Sequence, residues 1–326
     1  MWSASVVLHD SGCVGGWRFW IGLGVSEDIV YLRNKVMHSY IKKMKSFFPS
    51  FAILLLIQLT STAAIGQDLI GLQRKDSKPV SAMVYKPIAS ECKGVAIVSH
   101  GAGGSEKGYT YLGSAMSDFG YLAVVVGHQE SGLQAVKEQT SGTTLSDGLA
   151  KLITEPKAYQ ARFMDIAVAK EWAQGQCNSK VAVLIGHSMG AATVMMAAGA
   201  RNKLNIAEDP KFTAYIAISP QGSGLIFPEN AWSEINQPVL MLTGTQDKEL
   251  GGLPWETRTE PFNNMQSGCK WLGVIGGATH MNFAGRGISK KIETLTSHVI
   301  RDFLTGVQAG DCKLLNQISG MTISVK

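Results

Sequence analysis

The sequence predicts an α/β domain with a mostly parallel β-sheet and helices on both faces. Short apolar runs recur from residue 68 onward, helix-length segments separate most of them, and the later runs are continuously apolar rather than alternating. Continuous apolar runs are typical of strands buried on both faces, and alternation of strands with helices favours a parallel sheet. The 260 residues from 67 to 326 are enough for one domain of this kind.

The predicted elements follow one another in a regular order. Eight strands are predicted, the first two as an antiparallel hairpin: Asp68–Gln73, Val80–Tyr85, Gly94–Ser99, Leu122–Gly127, Val181–Ile185, Tyr215–Ser219, Val239–Thr243 and Trp271–Ile275. Helices are predicted around Tyr111–Phe119, Arg162–Gln174, Gly190–Arg201 and Ile288–Leu304. In the last of these, apolar residues recur every three or four positions, which indicates one face packed on a core.

The N-terminal segment reads as a leader rather than as part of the fold. Three lysines between residues 42 and 45 precede an apolar run, Phe51–Leu59, and small and polar residues follow it. This is the order of a secretory signal peptide, and the run is shorter than the roughly 18 residues of a membrane-spanning helix. We predict an upstream extension over residues 1–43, a signal peptide over 44–66 and a single domain over 67–326. The protein is then secreted or periplasmic, with no stable membrane anchor after cleavage. The alternative is a genuine N-terminal domain.

The charge balance excludes a strongly basic, nucleic-acid-binding surface. Residues 1–66 hold six basic and three acidic residues, so the rest of the chain keeps 24 basic and 22 acidic residues and a net charge of +2. No basic run is interleaved with aromatic residues. We therefore expect no nucleic-acid partner, and we expect a monomer.

Four cysteines remain after the leader, and export permits disulfides between them. Cys92 and Cys177 each come just before a predicted strand, so parallel neighbouring strands would place both at one edge of the sheet. Cys269 would then pair with Cys312. Free thiols are the alternative. None of the four has the spacing of a metal site, so no metal is expected.

The motif with the clearest chemistry is Gly-His-Ser-Met-Gly, from Gly186 to Gly190. It follows an apolar run and opens a stretch of small residues, which is the strand–turn–helix context of a nucleophile elbow. Residues without bulky side chains on either side of the serine allow strand and helix to approach closely. Ser188 is therefore the candidate nucleophile.

A serine nucleophile needs a base, and the base needs an orienting carboxylate. Asp247 and His280 each follow a buried strand, and the carboxyl ends of parallel strands share one edge of the sheet. For the oxyanion, we predict the backbone N–H of Met189, directly after the serine. The second donor is predicted in the loop after the third strand, at Ala102 or, as second choice, Gly103.

These motifs resemble those of alpha/beta-hydrolases, in which the order Ser, Asp, His is the usual one. The loop from His100 to Ser105 resembles dienelactone-hydrolase-like, chlorophyllase-like and platelet-activating-factor-acetylhydrolase-like esterases. The segments Gly186–Gly190 and Gly244–Asp247 are also similar to secreted cutinases and polyester hydrolases. The resemblance spans residues 68 to 305 and implies an eight-stranded alpha/beta-hydrolase fold. It also implies hydrolysis of a carboxylic ester through an acyl-enzyme, without cofactor or metal. We expect a small-molecule, lipid or polyester ester as the substrate, but the substrate class does not transfer with the resemblance.

Substrate contacts are the least defined part of the prediction. Tyr109, His128 and Met281 are candidate substrate-binding residues, although each is of a type that often packs inside a protein. The polar, glycine-bearing stretch from Gln129 to Tyr159 has no match in the resemblance and is interpreted as an insertion that covers or borders the site. An amidase or peptidase on the same scaffold and a catalytically silent binding protein are the alternative functions.

Overall fold

A computed structural model describes residues 67–89, 91–207, 211–313 and 317–326. The predicted extension over residues 1–43 and the predicted signal peptide over 44–66 lie outside these residues. Both therefore stay predictions.

The described chain is built on one nine-stranded sheet with the order β1-β2-β4-β3-β5-β6-β7-β8-β9. The six strands from β4 to β8 in this order are parallel, whereas β2 pairs antiparallel with β4, and β1 with β2. The strands are β1 Gln67–Gln73, β2 Pro79–Tyr85, β3 Gly94–Ser99, β4 Tyr121–Val126, β5 Ala182–His187, β6 Ala214–Ile218, β7 Val239–Gln246, β8 Lys270–Thr279 and β9 Met321–Val325.

Eight α-helices lie among the described residues, with three short 3₁₀ helices. The α-helices are α1 Thr110–Asp118, α2 Leu133–Thr140, α3 Leu145–Ile153, α4 Pro156–Gln176, α5 Met189–Ala197, α6 Glu260–Asn264, α7 His280–Phe283 and α8 Lys290–Ala309. The 3₁₀ helices are Gln129–Ser131, Leu250–Gly252 and Trp255–Thr259. The long stretch interpreted as an insertion, Gln129–Tyr159, thus forms the first 3₁₀ helix, α2, α3 and the start of α4.

Helices cover both faces of the sheet, as the sequence predicts. Apolar residues of α4 and α5 form one core with the side chains of alternate strand positions, including Val95 and Ile97 of β3. Residues of α1 and α8 form a second core on the other face, with Ala96 and Val98. Because successive side chains of a strand point to opposite faces, the continuous apolar runs supply both cores.

The sheet has one strand more than predicted. β9 pairs antiparallel with β8, from Trp271 opposite Val325 to Ile275 opposite Met321. Its side chains are half-buried or exposed, so β9 covers the edge of the sheet without contributing fully buried core residues. The strand count of eight was therefore wrong, while the α/β class and the mostly parallel sheet are confirmed.

Both predicted disulfides form. Cys92 and Cys177 are bonded with their Cα atoms 5.7 Å apart, and Cys269 and Cys312 with theirs 5.3 Å apart. The first bond joins the entries of β3 and β5, which are parallel neighbours. No helix among the described residues is long and apolar enough to cross a membrane.

Candidate active site

Ser188 stands at the sharp turn between β5 and α5. Its backbone has φ 57° and ψ −119°, in a left-handed region that a non-glycine residue adopts only under strain. A strained strand-to-helix turn that presents the serine hydroxyl is the defining geometry of a nucleophile elbow. Ser188 itself is half-buried, so its hydroxyl borders an open cavity.

The glycines beside Ser188 are required by close backbone packing. A Cβ at Gly186 would overlap the carbonyl of Gly190, and a Cβ at Gly190 would overlap the carbonyl oxygen of Ser99 at the end of β3. A Cβ at Gly101 would lie 3.1 Å from the Cβ of Ser188. The loop after β3 therefore lies directly against the serine.

Asp247 and His280 meet at the carboxyl ends of β7 and β8. Asp247 Oδ1 lies 2.9 Å from Nδ1 of His280, and Oδ2 accepts a hydrogen bond from the Thr243 hydroxyl at 3.0 Å. A Cβ at Gly244 would overlap the carbonyl of Ala278, so this glycine allows the two strand ends to converge. His280 opens α7, whose capping box is formed by the preceding residue, Thr279.

A buried arginine that the sequence does not single out completes this corner of the site. Arg258 Nε lies 3.1 Å from Oδ1 of Asp247 and donates to the backbone carbonyl of Asp247 at 2.7 Å. Its terminal nitrogens donate to the carbonyls of Ser219, Pro220 and Lys248. Arg258 follows Asp247 by eleven positions and lies in the 3₁₀ helix Trp255–Thr259, and no sequence motif distinguishes it from a surface residue.

These contacts set the charge state of the carboxylate. Burial alone would raise the pKa of Asp247, but the hydrogen bond from His280 and the charge of Arg258 bring that pKa below its ordinary value of 3.8. Asp247 is fully buried and ionised at neutral pH. It is therefore suited to orient an imidazole and to stabilise the imidazolium that forms when His280 takes a proton.

Ser188 and His280 line the same cavity, but a hydrogen bond between them is not among those of the described residues. The side chain of His280 is 32% exposed, whereas Asp247 is buried behind it. Catalytic hydrogen bonds are often long or poorly aligned without substrate. The contact between Asp247 and His280 is thus formed, and a catalytic triad would further require His280 Nε2 to face Ser188.

The loop after β3 distinguishes between the two candidate oxyanion donors. The N–H of Gly103 donates to the carbonyl of Ser131 at 2.8 Å, and that of Gly104 to the carbonyl of Gly101 at 3.1 Å. The N–H of Ala102 has no acceptor among the described residues. This geometry favours Ala102, the first choice, over Gly103. Met189 is the first residue of α5, where a backbone N–H has no partner within the helix.

Comparison with known proteins rests on structure, because no family model and no curated protein matches this sequence. A cold-adapted esterase from an Arctic intertidal metagenomic library is similar over 72% of this chain and 92% of its own, with 17% identity and a TM-score of 0.51. The esterase domain of a Rhodothermus marinus protein is similar over 74% of this chain and 99% of its own, with 14% identity and a TM-score of 0.50. The Pyrococcus furiosus esterase Pf2001 is similar over 74% of this chain and 90% of its own, with 14% identity and a TM-score of 0.50.

The chain has the alpha/beta-hydrolase fold. At these identities the likeness shows the fold and leaves the chemistry to the residues of the site. The narrower resemblance to dienelactone-hydrolase-like and related esterases stays a prediction.

Two of the predicted substrate contacts have their polar atoms hydrogen-bonded inside the protein. The Tyr109 hydroxyl lies 2.8 Å from Nδ1 of His187 and accepts from the N–H of Gly101 at 3.1 Å. His128 is held between the Ser99 hydroxyl and Asp165, each at 2.9 Å from a ring nitrogen.

Burial, and next the charge of Arg162, lower the pKa of His128 well below its usual range, so the ring is neutral. Tyr109 and His128 both line the cavity, but their hydrogen bonds brace its wall. Met281 is different, because it is 46% exposed and borders the same cavity.

Arg162 supports the loop after β3 through three hydrogen bonds. Arg162 lies three residues before Asp165 in α4, but Asp165 pairs with Arg74 and His128 instead. Arg162 is fully buried and donates to the His100 carbonyl at 2.7 Å, the Ser99 hydroxyl at 3.0 Å and the Ser131 hydroxyl at 2.9 Å. His100 itself donates from Nδ1 to the carbonyl of Gly101 and accepts at Nε2 from the N–H of His128.

The cavity beside Ser188 has a volume of about 1580 Å³. Its walls come from the loop after β3, from α2 and α3, from residues 221–226 after β6, and from the segment between β7 and α6. The insertion therefore borders the site, as the sequence suggests. Among the described residues, no group of three or more His, Cys, Asp or Glu side chains is arranged to hold a metal ion.

Proposed function

We propose that this protein is a serine hydrolase that cleaves carboxylic esters through an acyl-enzyme. The observation that carries the proposal is the ionised, buried Asp247 hydrogen-bonded to Nδ1 of His280, on the cavity that also exposes the strained Ser188. A buried carboxylate that holds the far nitrogen of an imidazole directs the other nitrogen to act as a base. The esterases among structural neighbours support an ester as the substrate.

The proposed reaction has two steps, acylation and deacylation, which use the same residues. His280 Nε2 takes the proton of Ser188 as the hydroxyl oxygen attacks the ester carbonyl, and the N–H groups of Met189 and Ala102 bind the oxyanion. The tetrahedral intermediate collapses when His280 returns the proton to the leaving alcohol. Water then attacks the acyl-enzyme with His280 again as base. Release of the carboxylic acid regenerates the Ser188 hydroxyl.

The proposal extends to the compartment and the assembly. Disulfides persist in oxidising environments, so the two bonds support export to the periplasm or the medium, as the signal peptide predicts. Amino-terminal sequencing of the exported protein tests the cleavage site. We propose a monomer, which size-exclusion chromatography with light scattering tests.

Replacement of the nucleophile tests the proposed function. Ser188→Ala is expected to lower the hydrolysis of p-nitrophenyl acetate and butyrate by roughly 10⁴-fold or more, because the nucleophile is lost while the oxyanion donors remain. Ser233→Ala, a change away from the cavity, is the control and is expected to match the wild type. Unchanged turnover in Ser188→Ala contradicts the assignment.

Assays of the wild-type protein distinguish an esterase from the two alternative functions. A matched pair of ester and anilide substrates distinguishes an esterase from an amidase or peptidase by which of the two is cleaved faster. A catalytically silent binding protein turns over neither substrate, and its serine does not react with a fluorophosphonate.

A further inference from the structure

The cavity beside Ser188 collects an unusual share of exposed apolar side chains. Nine large apolar side chains are exposed among the described residues, and five of them line this one cavity. Contiguous exposed apolar surface on a monomeric protein marks a place where something apolar binds. The five, here called the apolar rim, are Leu133, Leu145, Leu225, Leu253 and Met281, with exposures between 46% and 63%.

The rim continues inward along α3. Leu145, Leu149 and Ile153 all line the cavity, and residues four apart lie on one face of a helix. Their exposure falls from 63% at Leu145, through a half-buried Leu149, to 9% at Ile153. Eight residues of helix span about 12 Å, so α3 presents an apolar stripe of that length from the rim toward the interior.

The charges around the cavity do not favour a charged substrate. Of the four basic side chains that line it, Arg258 is paired with Asp247, and the other three, Lys107, Lys248 and Arg286, are matched in number by Glu106, Glu249 and Glu293. Two of these glutamates are already engaged: Glu249 accepts from the N–H of Gly222, and Glu293 accepts from the hydroxyl of Ser289. With balanced charge and an apolar stripe, the chemistry that fits is an uncharged chain.

We propose that the cavity binds an ester with an extended aliphatic acyl chain, which lies along the stripe of α3 and under the apolar rim. This inference rests on the proposed function and names its substrate class. The cavity volume of about 1580 Å³ exceeds the roughly 300–1,000 Å³ of most small-ligand sites, so it leaves room beyond the reacting ester. Each methylene that becomes buried strengthens binding by up to about fourfold, which is about 0.8 kcal/mol.

Chain-length dependence in the full-length protein tests the proposal. The ratio of kcat/KM for p-nitrophenyl octanoate to that for p-nitrophenyl butyrate is expected to be at least about tenfold in the wild type, because four further methylenes are available for burial. The double variant Leu145→Asn/Leu253→Asn is expected to lower this ratio at least about fivefold. Both positions are exposed, so the fold tolerates the change, and thermal unfolding verifies this.

The matched control is Leu69→Asn/Ile88→Asn, at two equally exposed apolar residues outside the cavity. It is expected to keep the wild-type ratio. A ratio near one in the wild type, or a ratio that the rim variant leaves unchanged, overturns the proposal. A rim variant that changes only the oligomeric state assigns the rim to contact between two copies of this chain and likewise overturns it.

An ester with an extended aliphatic chain occurs both in acylglycerols and in aliphatic polyesters, and two further substrates distinguish these sources. Release of acid from emulsified trioctanoylglycerol indicates an acylglycerol, and release from a polycaprolactone film indicates an aliphatic polyester. If neither substrate is hydrolysed, the proposal is overturned. Failure here remains separate from failure of the proposed function, because loss of short-chain ester hydrolysis in Ser188→Ala is measured independently of chain length.

Discussion

At the residue scale, the least expected part of the site is the buried guanidinium of Arg258. It binds the backbone carbonyl of Asp247 and lies against its carboxylate, while three other carbonyls from two loops share its remaining N–H groups. Five donors in a rigid planar fork suit this bridging role, which a lysine cannot reproduce. Arg258 therefore fixes the position of Asp247 and, through it, of His280.

Replacement of Arg258 by Met is expected to lower kcat by about 10- to 100-fold with little change in KM, because displacement of a catalytic group by about 1 Å can cost 10²-fold. Stopped assays over a range of substrate concentrations separate the two constants. Arg258→Lys retains the charge without the fork and is expected to recover only part of the rate. A Met variant with the wild-type kcat contradicts this role.

The depressed pKa of Asp247 predicts a dependence of stability on pH. Since the folded-state pKa lies below the ordinary value of 3.8, ionised Asp247 stabilises the fold above that value, and the contribution is lost as the pH falls through the folded pKa. The Tm difference between wild type and Asp247→Asn is therefore expected to be largest near about pH 7 and to shrink toward about pH 3. A constant difference across this range contradicts the assigned pKa shift.

At the scale of elements, the serine turn depends on contact between α5 and the end of β3. Gly190 lies where a Cβ would overlap the Ser99 carbonyl, and this backbone atom belongs to the sheet and has little freedom to move. Gly175 in α4 is a matched position, also helical, with nothing within 4 Å of an added Cβ.

Gly190→Ala is expected to destabilise the protein by about 1–3 kcal/mol through overpacking and to lower activity by displacing Ser188. Gly175→Ala is expected to stabilise it by about 0.4–1 kcal/mol, since alanine restricts the unfolded chain. Chemical denaturation of both variants measures the two effects. If both variants change the free energy of unfolding by the same amount, close packing at Gly190 does not explain the effect of Gly190→Ala.

The sequence predicts those elements whose signal is local. The apolar runs that give β3 to β8 and the glycines around Ser188 encode their own structure, because strand burial and the tight elbow both constrain residue type directly. The α2–α3 pair gives a weaker signal, because α2 is largely polar and the apolar stripe of α3 is only nine residues long and is interrupted by Gly148. β9 lacks one because it needs no core-facing residues at the edge of the sheet.

The residues of the site also divide into those with a local sequence signal and those without one. Ser188, Asp247 and His280 are visible in the sequence because each directly follows a buried strand. The roles of Arg162 and Arg258 are not visible, because their partners are serine hydroxyls and backbone carbonyls of segments far away in sequence. The hydrogen bond from the Gly103 N–H to the Ser131 carbonyl, which favours Ala102 over Gly103 as a donor, is equally a product of tertiary structure.

At the scale of the whole molecule, the disulfides join segments that are far apart in sequence. They close loops of 85 and 43 residues, and the longer loop loses more entropy in the unfolded chain. Cys92 and Cys177 join the entries of two central strands, whereas Cys269 and Cys312 link the entry of β8 to the segment after α8.

Removal of either pair by Cys→Ala changes is expected to lower the free energy of unfolding by about 2–4 kcal/mol, with the loss about 0.6 kcal/mol greater for Cys92→Ala/Cys177→Ala. Urea denaturation of each double variant measures it. A variant as stable as the wild type would indicate that the bond in question is absent from the native protein.

Covalent labelling of the nucleophile tests the central claim most directly. The protein is incubated with a fluorophosphonate, digested and analysed by mass spectrometry, with Ser188→Ala and His280→Ala as comparisons. We expect a single adduct on the peptide that contains Ser188, no adduct in Ser188→Ala and far slower labelling in His280→Ala. An unlabelled wild-type protein, or an adduct on another residue, contradicts it.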